Sequence, residues 1–286
     1  MQLLGIFGHP IAHSLSPKMH QAALQATGLA SEYVYLPFDV VSQDLSLAVG
    51  ALRALHARGV NVTIPHKEAV IPLLDQLDCQ AGAIGAVNVI VNDRGWLTGY
   101  NTDGIGFIRA LKEEGGVDPG GKKILVFGAG GAARAVCAAL ATSGSAEILV
   151  VNRTIDRAES VAEMVKSLGT QAAALPFSSG KLREEVEKAD IIVNTTSVGL
   201  YPAGESLLTA YQGCLKRRHL VCDIIYHPRE TLMLSQAKTY GCSTLSGMGM
   251  LLFQGVEAFK LWTGVEAPVE VMRKALEENL CVNGDK

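Results

Sequence analysis

The sequence predicts an α/β fold with two domains. Apolar segments of strand length alternate with helical segments along most of the chain, a pattern typical of parallel sheets covered by helices on both faces. The alternation occurs in two runs, which are separated near residues 104–121, where EEGGVDPGGKK forms a Gly-rich surface loop. The length of 286 residues also fits two domains of ordinary size.

The first run predicts a mainly parallel N-terminal sheet. Ser16 and Pro17 are typical of a helix start, because a hydroxyl can cap the first turn and proline fits the first helical position. Gly28 is typical of a helix end. The segment AVNVIVNDRGWLTG alternates around a turn at residues 93–95, which predicts a β-hairpin at one edge of this sheet. The predicted strands are residues 3–8, 33–39 and 59–64, and the predicted helices are residues 16–28, 42–58, 66–78 and 104–114.

The second run predicts a second parallel sheet. Its predicted strands are residues 124–127, 147–151, 172–175, 191–194 and 220–224. Two further predicted helices, residues 248–262 and 268–280, have no strand after them, and we expect them to return to the first domain. We therefore assign residues 1–105 with 246–286 to one domain and residues 106–245 to the other.

Composition and charge exclude several classes of protein. With 48% hydrophobic and 19% charged residues, the chain is globular and not disordered. A formal net charge of −3 gives no electrostatic reason to expect nucleic acid as a partner. The N-terminus lacks signal-peptide features and no stretch approaches 18 uncharged apolar residues, so we expect a cytoplasmic protein with no membrane partner.

The cysteines and paired histidines predict neither disulfides nor a metal site. The six cysteines include no C-x-x-C pair and lie mostly in apolar segments, so reduced thiols are expected. His9 and His13 are four residues apart, but they lie in a Gly/Pro/Ser-rich loop without a further ligand.

The segment ILVFGAGGAARA, residues 124–135, predicts a dinucleotide site. It runs from a strand through a glycine turn into a helix, with Gly128 and Gly130 in the first two glycine positions of G-x-G-x-x-G/A and Ala133 in the third. A tight turn alone would explain the glycines, but within a βαβ unit the pattern favours a Rossmann-type domain whose helix start binds a pyrophosphate. The predicted contacts are Gly128, Ala129, Gly130, Gly131 and Ala132.

The end of the next strand favours NADP over NAD. An NAD site usually has Asp or Glu there to bind the ribose hydroxyl, whereas this chain has Asn152, Arg153, Thr154 and Arg157. Two guanidinium groups and a hydroxyl can bind a ribose 2'-phosphate through charge-assisted hydrogen bonds. Asp156 leaves NAD open, and the two arginines could also be a solvated helix start.

Polar residues of the first domain gather at strand ends and turns. Each has a local explanation, such as a helix cap at Ser16 or Asp103 and turn formation at Asn88 or Asn101. Together they predict a pocket of hydroxyls and amides with one cation, Lys67, and one carboxylate, Asp103, because ligands of α/β sheets bind beyond the carboxyl ends of the strands. The set comprises Ser14, Ser16, Thr63, Lys67, Asn88, Asn101 and Asp103.

The motifs in their order resemble the shikimate dehydrogenase family over nearly the whole chain. They are SLSP, NVTIPHK, GAVN, NTDGIGF, GAGGAA, NRT, NTTSVG, DIIYHPRET and GMGMLLFQ. The resemblance implies NADPH-dependent reduction of the ring ketone of 3-dehydroshikimate to shikimate, in aromatic amino acid biosynthesis. It also implies an N-terminal substrate domain, a C-terminal Rossmann-type NADP domain and last helices that return to the first domain. A homodimer is compatible with it.

The resemblance also implies roles for individual residues. Lys67 would deliver the proton or act as a fixed charge, and Asp103 would orient it, because hydride transfer to a ketone leaves negative charge on oxygen. The carboxylate of the substrate would be bound by Ser14 and Ser16. The ring hydroxyls and the far side of the acid would be bound by Thr63, Asn88, Asp103, Tyr226 and Gln254. The nicotinamide would lie beside Ile224 and Gly247.

Three other functions share part of this pattern. A quinate/shikimate dehydrogenase catalyses the same chemistry with a broader range of ring substrates and often uses NAD. The pair Arg153 and Arg157 argues against NAD but does not exclude quinate. A sensor that binds such ligands without turnover has no need of the Lys67–Asp103 pair. An unrelated NADP reductase leaves the first-domain motifs unexplained.

Overall fold

The chain divides into two compact units. Unit 1 comprises Met1–Gly106 and Leu252–Lys286, and unit 2 comprises Phe107–Leu251. The computed structural model describes residues 1–200 and 204–283, with side chains described up to residue 279.

Helices and strands alternate in both units. The elements up to residue 113 are β1 (Gln2–Gly8), α1 (Ser16–Ala26), β2 (Tyr33–Asp39), α2 (Leu45–Ala54), β3 (Gly59–Val62), β4 (Gln76–Leu77), α3 (Cys79–Ile84), β5 (Val89–Asp93), β6 (Trp96–Tyr100) and α4 (Asp103–Glu113). The later elements are β7 (Lys123–Phe127), α5 (Gly131–Thr142), β8 (Glu147–Asn152), α6 (Ile155–Ser167), β9 (Gln171–Pro176), α7 (Leu182–Lys188), β10 (Ile191–Asn194), β11 (Leu220–Asp223), α8 (Leu232–Thr239), β12 (Ser243–Leu245), α9 (Met248–Thr263) and α10 (Val269–Asn283). Short 3₁₀ helices lie at Leu29–Ser31, Ser42–Asp44, Ile71–Leu73 and Thr209–Cys214.

The sheet of unit 1 has the order β2-β1-β3-β5-β6-β4. Strand β1 pairs parallel with β2 and β3, while β5 pairs antiparallel with β3 and β6. The prediction that the hairpin lies at the sheet edge is wrong, because β4 pairs with β6 outside it. Val89, Ile90 and Val91 are all buried, as a strand covered on both faces requires.

The predicted helix at residues 66–78 is also wrong. Only a turn and the 3₁₀ helix Ile71–Leu73 form there, and β4 follows. Pro72 lacks a backbone donor for a helix interior. The amide of Asp75 donates to Leu97 O at 3.0 Å and the amide of Asp78 donates to Gly99 O at 2.9 Å, so pairing with β6 replaces the helical bonds.

The sheet of unit 2 is parallel throughout, in the order β12-β11-β10-β7-β8-β9. This is the strand order of a Rossmann fold, with the reversal of order between β7 and β10. The predicted fold class is confirmed, although the short β12 was not predicted.

Helix α10 and the part of α9 from Leu252 onward belong to unit 1 and pack within it. Helix α10 contacts α1, and Trp262 of α9 is 1% exposed. The indole Nε1 of Trp262 donates to Ile90 O at 3.0 Å, and Arg58 Nε donates to Trp262 O at 2.8 Å. The C-terminal segment thereby completes the core over the first sheet.

Within the described residues, none of the helices combines the length and the apolar character needed to cross a membrane.

The cysteines whose side chains are described are free thiols. They are Cys79, Cys137, Cys214, Cys222 and Cys242. The side chain of Cys281 lies outside the described residues.

Candidate active site

A lysine and an aspartate form a close ion pair in unit 1. Strand β3 ends at Val62, a turn follows, and the amide of His66 donates to Thr63 O at 2.9 Å. The buried His66 ring lies with Nε2 2.6 Å from Val40 O, which anchors this turn. Lys67 then places its Nζ 2.5 Å from Asp103 Oδ2, with side chains 15% and 6% exposed.

Both carboxylate oxygens of Asp103 are bonded. Asn88 Nδ2 donates to Asp103 Oδ1 at 3.0 Å, while Lys67 donates to Oδ2. Asp103 also begins α4, where the helix dipole favours a negative charge. Its own amide donates to Asn101 Oδ1 at 3.1 Å, so Asn101 shapes the turn before the helix. The carboxylate is held in one position and can orient Lys67.

Asn88 joins the pair to α9. Its Nδ2 lies 3.0 Å from Thr102 Oγ1 and 3.3 Å from Gln254 Oε1, and its Oδ1 accepts from Thr102 N at 2.8 Å. Thr102 Oγ1 donates to Gln254 O at 3.0 Å. Asn88, Thr102 and Gln254 are all buried. The structure therefore brings Lys67, Asn88, Asp103 and Gln254 together.

Ser14, Ser16 and Thr63 lie near element ends in the same unit. Ser16 is the first residue of α1, but Leu15 occupies the cap position and no side chain caps the helix, so the cap expected at Ser16 is wrong. Instead Ser14 Oγ accepts from Ser16 N at 3.3 Å. The first-turn amides of a helix lack intrahelical acceptors, which suits a carboxylate here. Thr63 is half-buried directly after β3.

Three residues of this region were not predicted from the sequence. Tyr35 donates through its hydroxyl to Asn61 Oδ1 at 2.7 Å, and Asn61 Nδ2 donates to Asn88 O at 3.2 Å. Burial raises the pKa of Tyr35, and a hydrogen bond with the Ser16 side chain opposes this rise. Thr102 lies between the candidate residues Asn101 and Asp103 in NTDG, and this position could have indicated it. Tyr35 and Asn61 have the pattern of ordinary strand residues.

The glycine turn of unit 2 fits a dinucleotide. Gly128 follows β7 with φ of +110°, and a Cβ there would collide with the Thr195 hydroxyl. Gly130 precedes α5 in an extended conformation, and beyond its own chain neighbours no heavy atom lies within 4 Å of where its Cβ would be. Ala133 is fully buried, as close packing of helix on strand requires. The turn leaves open space beside Gly130, the residue directly before the first helical residues Gly131 and Ala132.

The residues predicted to select NADP lie at the carboxyl end of β8. Asn152 ends the strand, and its Nδ2 donates to Thr154 O at 2.9 Å. Arg153, Thr154 and Arg157 are exposed around the start of α6. Asp156 is exposed in the same first turn. Two guanidinium groups and a hydroxyl can therefore reach a phosphate at this position.

Ile224, Tyr226 and Gly247 lie after β11 and β12. The amide of Ile224 donates to Asn194 O at 3.1 Å, and that of Gly247 donates to Ile225 O at 3.1 Å. A Cβ on Gly247 would overlap the Ile224 carbonyl, so only glycine fits. Tyr226 is half-buried, and burial raises its pKa.

Three family models match successive parts of the chain. They are the Shikimate dehydrogenase substrate binding domain at residues 6–90, Shikimate / quinate 5-dehydrogenase at residues 111–236 and the Shikimate 5'-dehydrogenase C-terminal domain at residues 247–277.

Similar proteins cover nearly the whole chain. The Shikimate dehydrogenase (NADP(+)) of Methanopyrus kandleri is 49% identical over 281 residues, which are 97% of this chain and 96% of that protein. The structure of Shikimate 5-dehydrogenase from Listeria monocytogenes in complex with shikimate and NAD has a TM-score of 0.88 and 41% identity, covering 96% of each chain. Quinate dehydrogenase from Corynebacterium glutamicum in complex with NAD has a TM-score of 0.87 and 35% identity, covering 97% of this chain and 99% of that one.

Proposed function

The chain belongs to the shikimate dehydrogenase family, and on this premise we propose that it reversibly reduces 3-dehydroshikimate to shikimate with NADPH, in aromatic amino acid biosynthesis. The observation that carries the proposal is the enclosed Lys67–Asp103 pair, with Nζ and Oδ2 2.5 Å apart among buried amides and hydroxyls. Interconversion of a hydroxyl and a ketone requires a group that exchanges a proton with the oxygen and a partner that holds this group in position.

Lys67 is the proton donor in this scheme, and Asp103 is the residue that orients it. NADPH, when bound, supplies a hydride to the ring carbonyl. Negative charge then develops on the carbonyl oxygen. An ammonium group within hydrogen-bond distance stabilises this charge and donates a proton to the oxygen. In the reverse direction Lys67 accepts the proton of the shikimate hydroxyl. Asp103, fixed by Asn88, holds the ammonium in position.

The substrate is held by hydrogen-bonding groups that lie on several elements. In this proposal Ser14 and Ser16, with the first amides of α1, bind its carboxylate. A site of buried polar groups strongly rejects analogues that lack a hydroxyl, because the site's own groups would lose their partners. The residues proposed to bind the ring hydroxyls and the far side of the acid are Thr63, Asn88, Asp103, Tyr226 and Gln254.

The cofactor assignment rests on two features of unit 2. The narrow turn at Gly128 and the open space at Gly130 fit a pyrophosphate against the start of α5. The exposed Arg153 and Arg157 fit a 2'-phosphate and favour NADP over NAD. Ile224 and Gly247 are proposed to lie beside the nicotinamide. The domain boundaries proposed for these functions are residues 1–105 with 246–286 for substrate and residues 106–245 for NADP.

The test is a nicotinamide absorbance assay in four mixtures, which pair shikimate or quinate with NADP or NAD. Strong activity confined to shikimate with NADP supports the proposal. Comparable turnover of quinate or NAD would move the assignment to a quinate/shikimate dehydrogenase. Ligand binding by folded protein without turnover in any mixture would favour a sensor.

The proposal extends to the location of the protein in the cell and to its oligomeric state. A cytoplasmic location is proposed because NADPH and the soluble intermediates of amino acid synthesis are used there. A homodimer is compatible with the chemistry, and sedimentation velocity distinguishes it from a monomer.

A further inference from the structure

A buried carboxylate in unit 2 joins three segments at the carboxyl ends of the parallel strands. Asp223, the last residue of β11, is 2% exposed. Its Oδ1 accepts from Asn194 Nδ2 at 3.0 Å and from Ile225 N at 3.1 Å. Its Oδ2 accepts from Thr231 Oγ1 at 2.7 Å. Asn194 ends β10 and Thr231 precedes α8, so one side chain ties two strand ends and a helix start together.

Packing alone does not explain this carboxylate. Removing a charge from water is costly even when hydrogen bonds offset part of the loss. Burial raises the pKa of Asp223 to about 6, although the bonds from Thr231, Ile225 and Asn194 act to lower it. An apolar side chain could fill the same volume without that cost. The carboxylate therefore indicates a requirement for its hydrogen bonds.

The bonds of Asp223 continue into two loops. Asn194 Oδ1 accepts from Thr196 N at 2.9 Å and from Thr196 Oγ1 at 2.8 Å, while its Nδ2 also donates to Val198 O at 3.0 Å. On the other side, Ile225 O accepts from Gly247 N at 3.1 Å. Asp223 thus fixes both the loop after β10, residues 195–198, and the loop after β11, residues 224–231.

The position of these loops in the sheet indicates what they serve. A Rossmann sheet consists of two mononucleotide-binding halves on either side of the reversal in strand order. The glycine turn after β7 and the arginines after β8 belong to the first half, which suits the adenosine 2'-phosphate. The loops after β10 and β11 belong to the second half, where the other mononucleotide of the dinucleotide binds.

We propose that Asp223 is a positioning residue for the nicotinamide half of the dinucleotide site, acting through the loops at residues 195–198 and 224–231 without contacting the cofactor. The inference rests on the proposed function, because it requires that unit 2 binds NADP.

The test is isothermal titration calorimetry, which measures the affinity for NADP and for adenosine 2',5'-bisphosphate. The bisphosphate has the adenosine 2'-phosphate but no nicotinamide. Asp223→Ala should weaken NADP binding at least about tenfold, as one lost set of positioning hydrogen bonds would. The bisphosphate affinity should stay within about twofold, since the first half of the site is untouched. Asp223→Asn should bind both ligands nearly as the wild type does, because its oxygen can accept from Asn194 and Ile225 and its amide can donate to Thr231.

Two further variants control for damage to the fold. Asp190→Ala removes a carboxylate directly before β10, at the amino ends of the same parallel strands, where Oδ2 accepts from Lys123 N at 2.9 Å and Oδ1 from Arg218 Nη1 at 3.2 Å. It should leave both affinities unchanged. Thr231→Val deletes one donor to Asp223 with little change of shape, and it also removes the hydroxyl that accepts from Leu234 N at 3.4 Å as the N-cap of α8. It serves if Asp223→Ala does not fold. It should weaken NADP alone, by about threefold.

The outcomes separate this inference from the proposed function. Equal weakening of both ligands in Asp223→Ala, or unchanged NADP affinity, would overturn the role of Asp223. An Asn variant as weak as the Ala variant would overturn it as well, because the hydrogen-bond geometry would then be irrelevant. Failure of the wild type to bind either ligand would instead contradict the proposed function.

Discussion

The ammonium of Lys67 and the carboxylate of Asp103 are 36 residues apart in the chain and 2.5 Å apart in the structure. Lys67 follows the turn after β3, and Asp103 begins α4. Both side chains are largely shielded from solvent, so their attraction is screened less than that of the exposed ion pairs elsewhere in the chain. The ion pair therefore holds both side chains in place within the proposed substrate site.

Asn88→Ala should lower kcat and raise the KM for shikimate, each by about tenfold or more, because Asp103 Oδ1 and the buried amide of Thr102 lose a partner. Asn92→Ala is a matched control. Asn92 is another buried asparagine, and its Nδ2 donates to Leu52 O and Ala57 O. Both variants should lose stability, but only Asn88→Ala should change the kinetics. Steady-state rates at fixed NADP measure this, and identical kinetic losses would contradict a role for Asn88.

Arg153→Ala should raise the KM for NADP at least about tenfold and leave the KM for NAD nearly unchanged, because a guanidinium–phosphate bond is lost only with NADP. Arg183→Ala controls for a general effect, since Arg183 binds Ala210 O and Cys214 Sγ in the same unit. The comparison requires initial rates with each cofactor at saturating shikimate. Equal changes for the two cofactors would refute selection by Arg153.

The two glycines of the dinucleotide turn should respond differently to alanine. In Gly128→Ala the new Cβ would collide with the Thr195 hydroxyl, and the backbone φ of +110° is strained for alanine. Thermal unfolding should therefore show a free energy of unfolding lower by at least about 2 kcal/mol. Gly130→Ala has no steric conflict within 4 Å and should keep its stability. Its methyl group enters the space proposed for the pyrophosphate, so NADP binding should weaken about tenfold in a titration. Unimpaired NADP binding by Gly130→Ala would argue against that location.

His20 should make unit 1 sensitive to acid. Its buried ring has two nitrogens without a hydrogen-bond partner and stacks on Tyr35 at 4.5 Å between centroids. Burial lowers its pKa from 6.5 to about 3. Between these values the unfolded chain binds more protons, so stability is fully present above pH 6.5 and falls as the pH decreases towards 3.

His20→Phe should remove this dependence and resist acid better than the wild type. Urea unfolding at pH 7, 5 and 4, followed by tryptophan fluorescence, measures it, since both tryptophans, Trp96 and Trp262, lie in unit 1. His56 is exposed and has a φ of +50°, a conformation that asparagine tolerates, so His56→Asn should behave as the wild type. Parallel loss of stability in wild type and His20→Phe would rule out His20 as the cause.

Local pattern predicted most of the fold. Alternation and apolar runs placed β2 and β10 at their observed bounds, and the glycine turn identified the Rossmann half. The errors arose where pairing with residues distant in the sequence determines the local structure. Residues 66–78 lack a helix because Asp75 and Asp78 pair with β6, and the hairpin lies inside the sheet because β4 covers its outer strand.

The candidate site was predictable to the extent that its residues lie at the ends of regular elements. Lys67 lies in the segment after β3, Asn88 directly precedes β5 and Asp103 begins α4. Thr102 and Asp223 were missed because their roles depend on contacts such as Thr102 Oγ1 to Gln254 O, 152 residues apart. Single-sequence patterns carry no information about such pairs. The roles of the site residues remain predictions.

The most direct measurement is the turnover of shikimate with NADP by Lys67→Ala, with Lys112→Ala as the control, since Lys112 forms an exposed pair with Asp118 at 3.3 Å. We expect kcat to fall at least about a hundredfold with much less change in substrate affinity, because proton transfer is lost while the binding groups remain. Near-normal turnover in Lys67→Ala would show that this lysine is only a partner of Asp103 and would contradict the proposed mechanism.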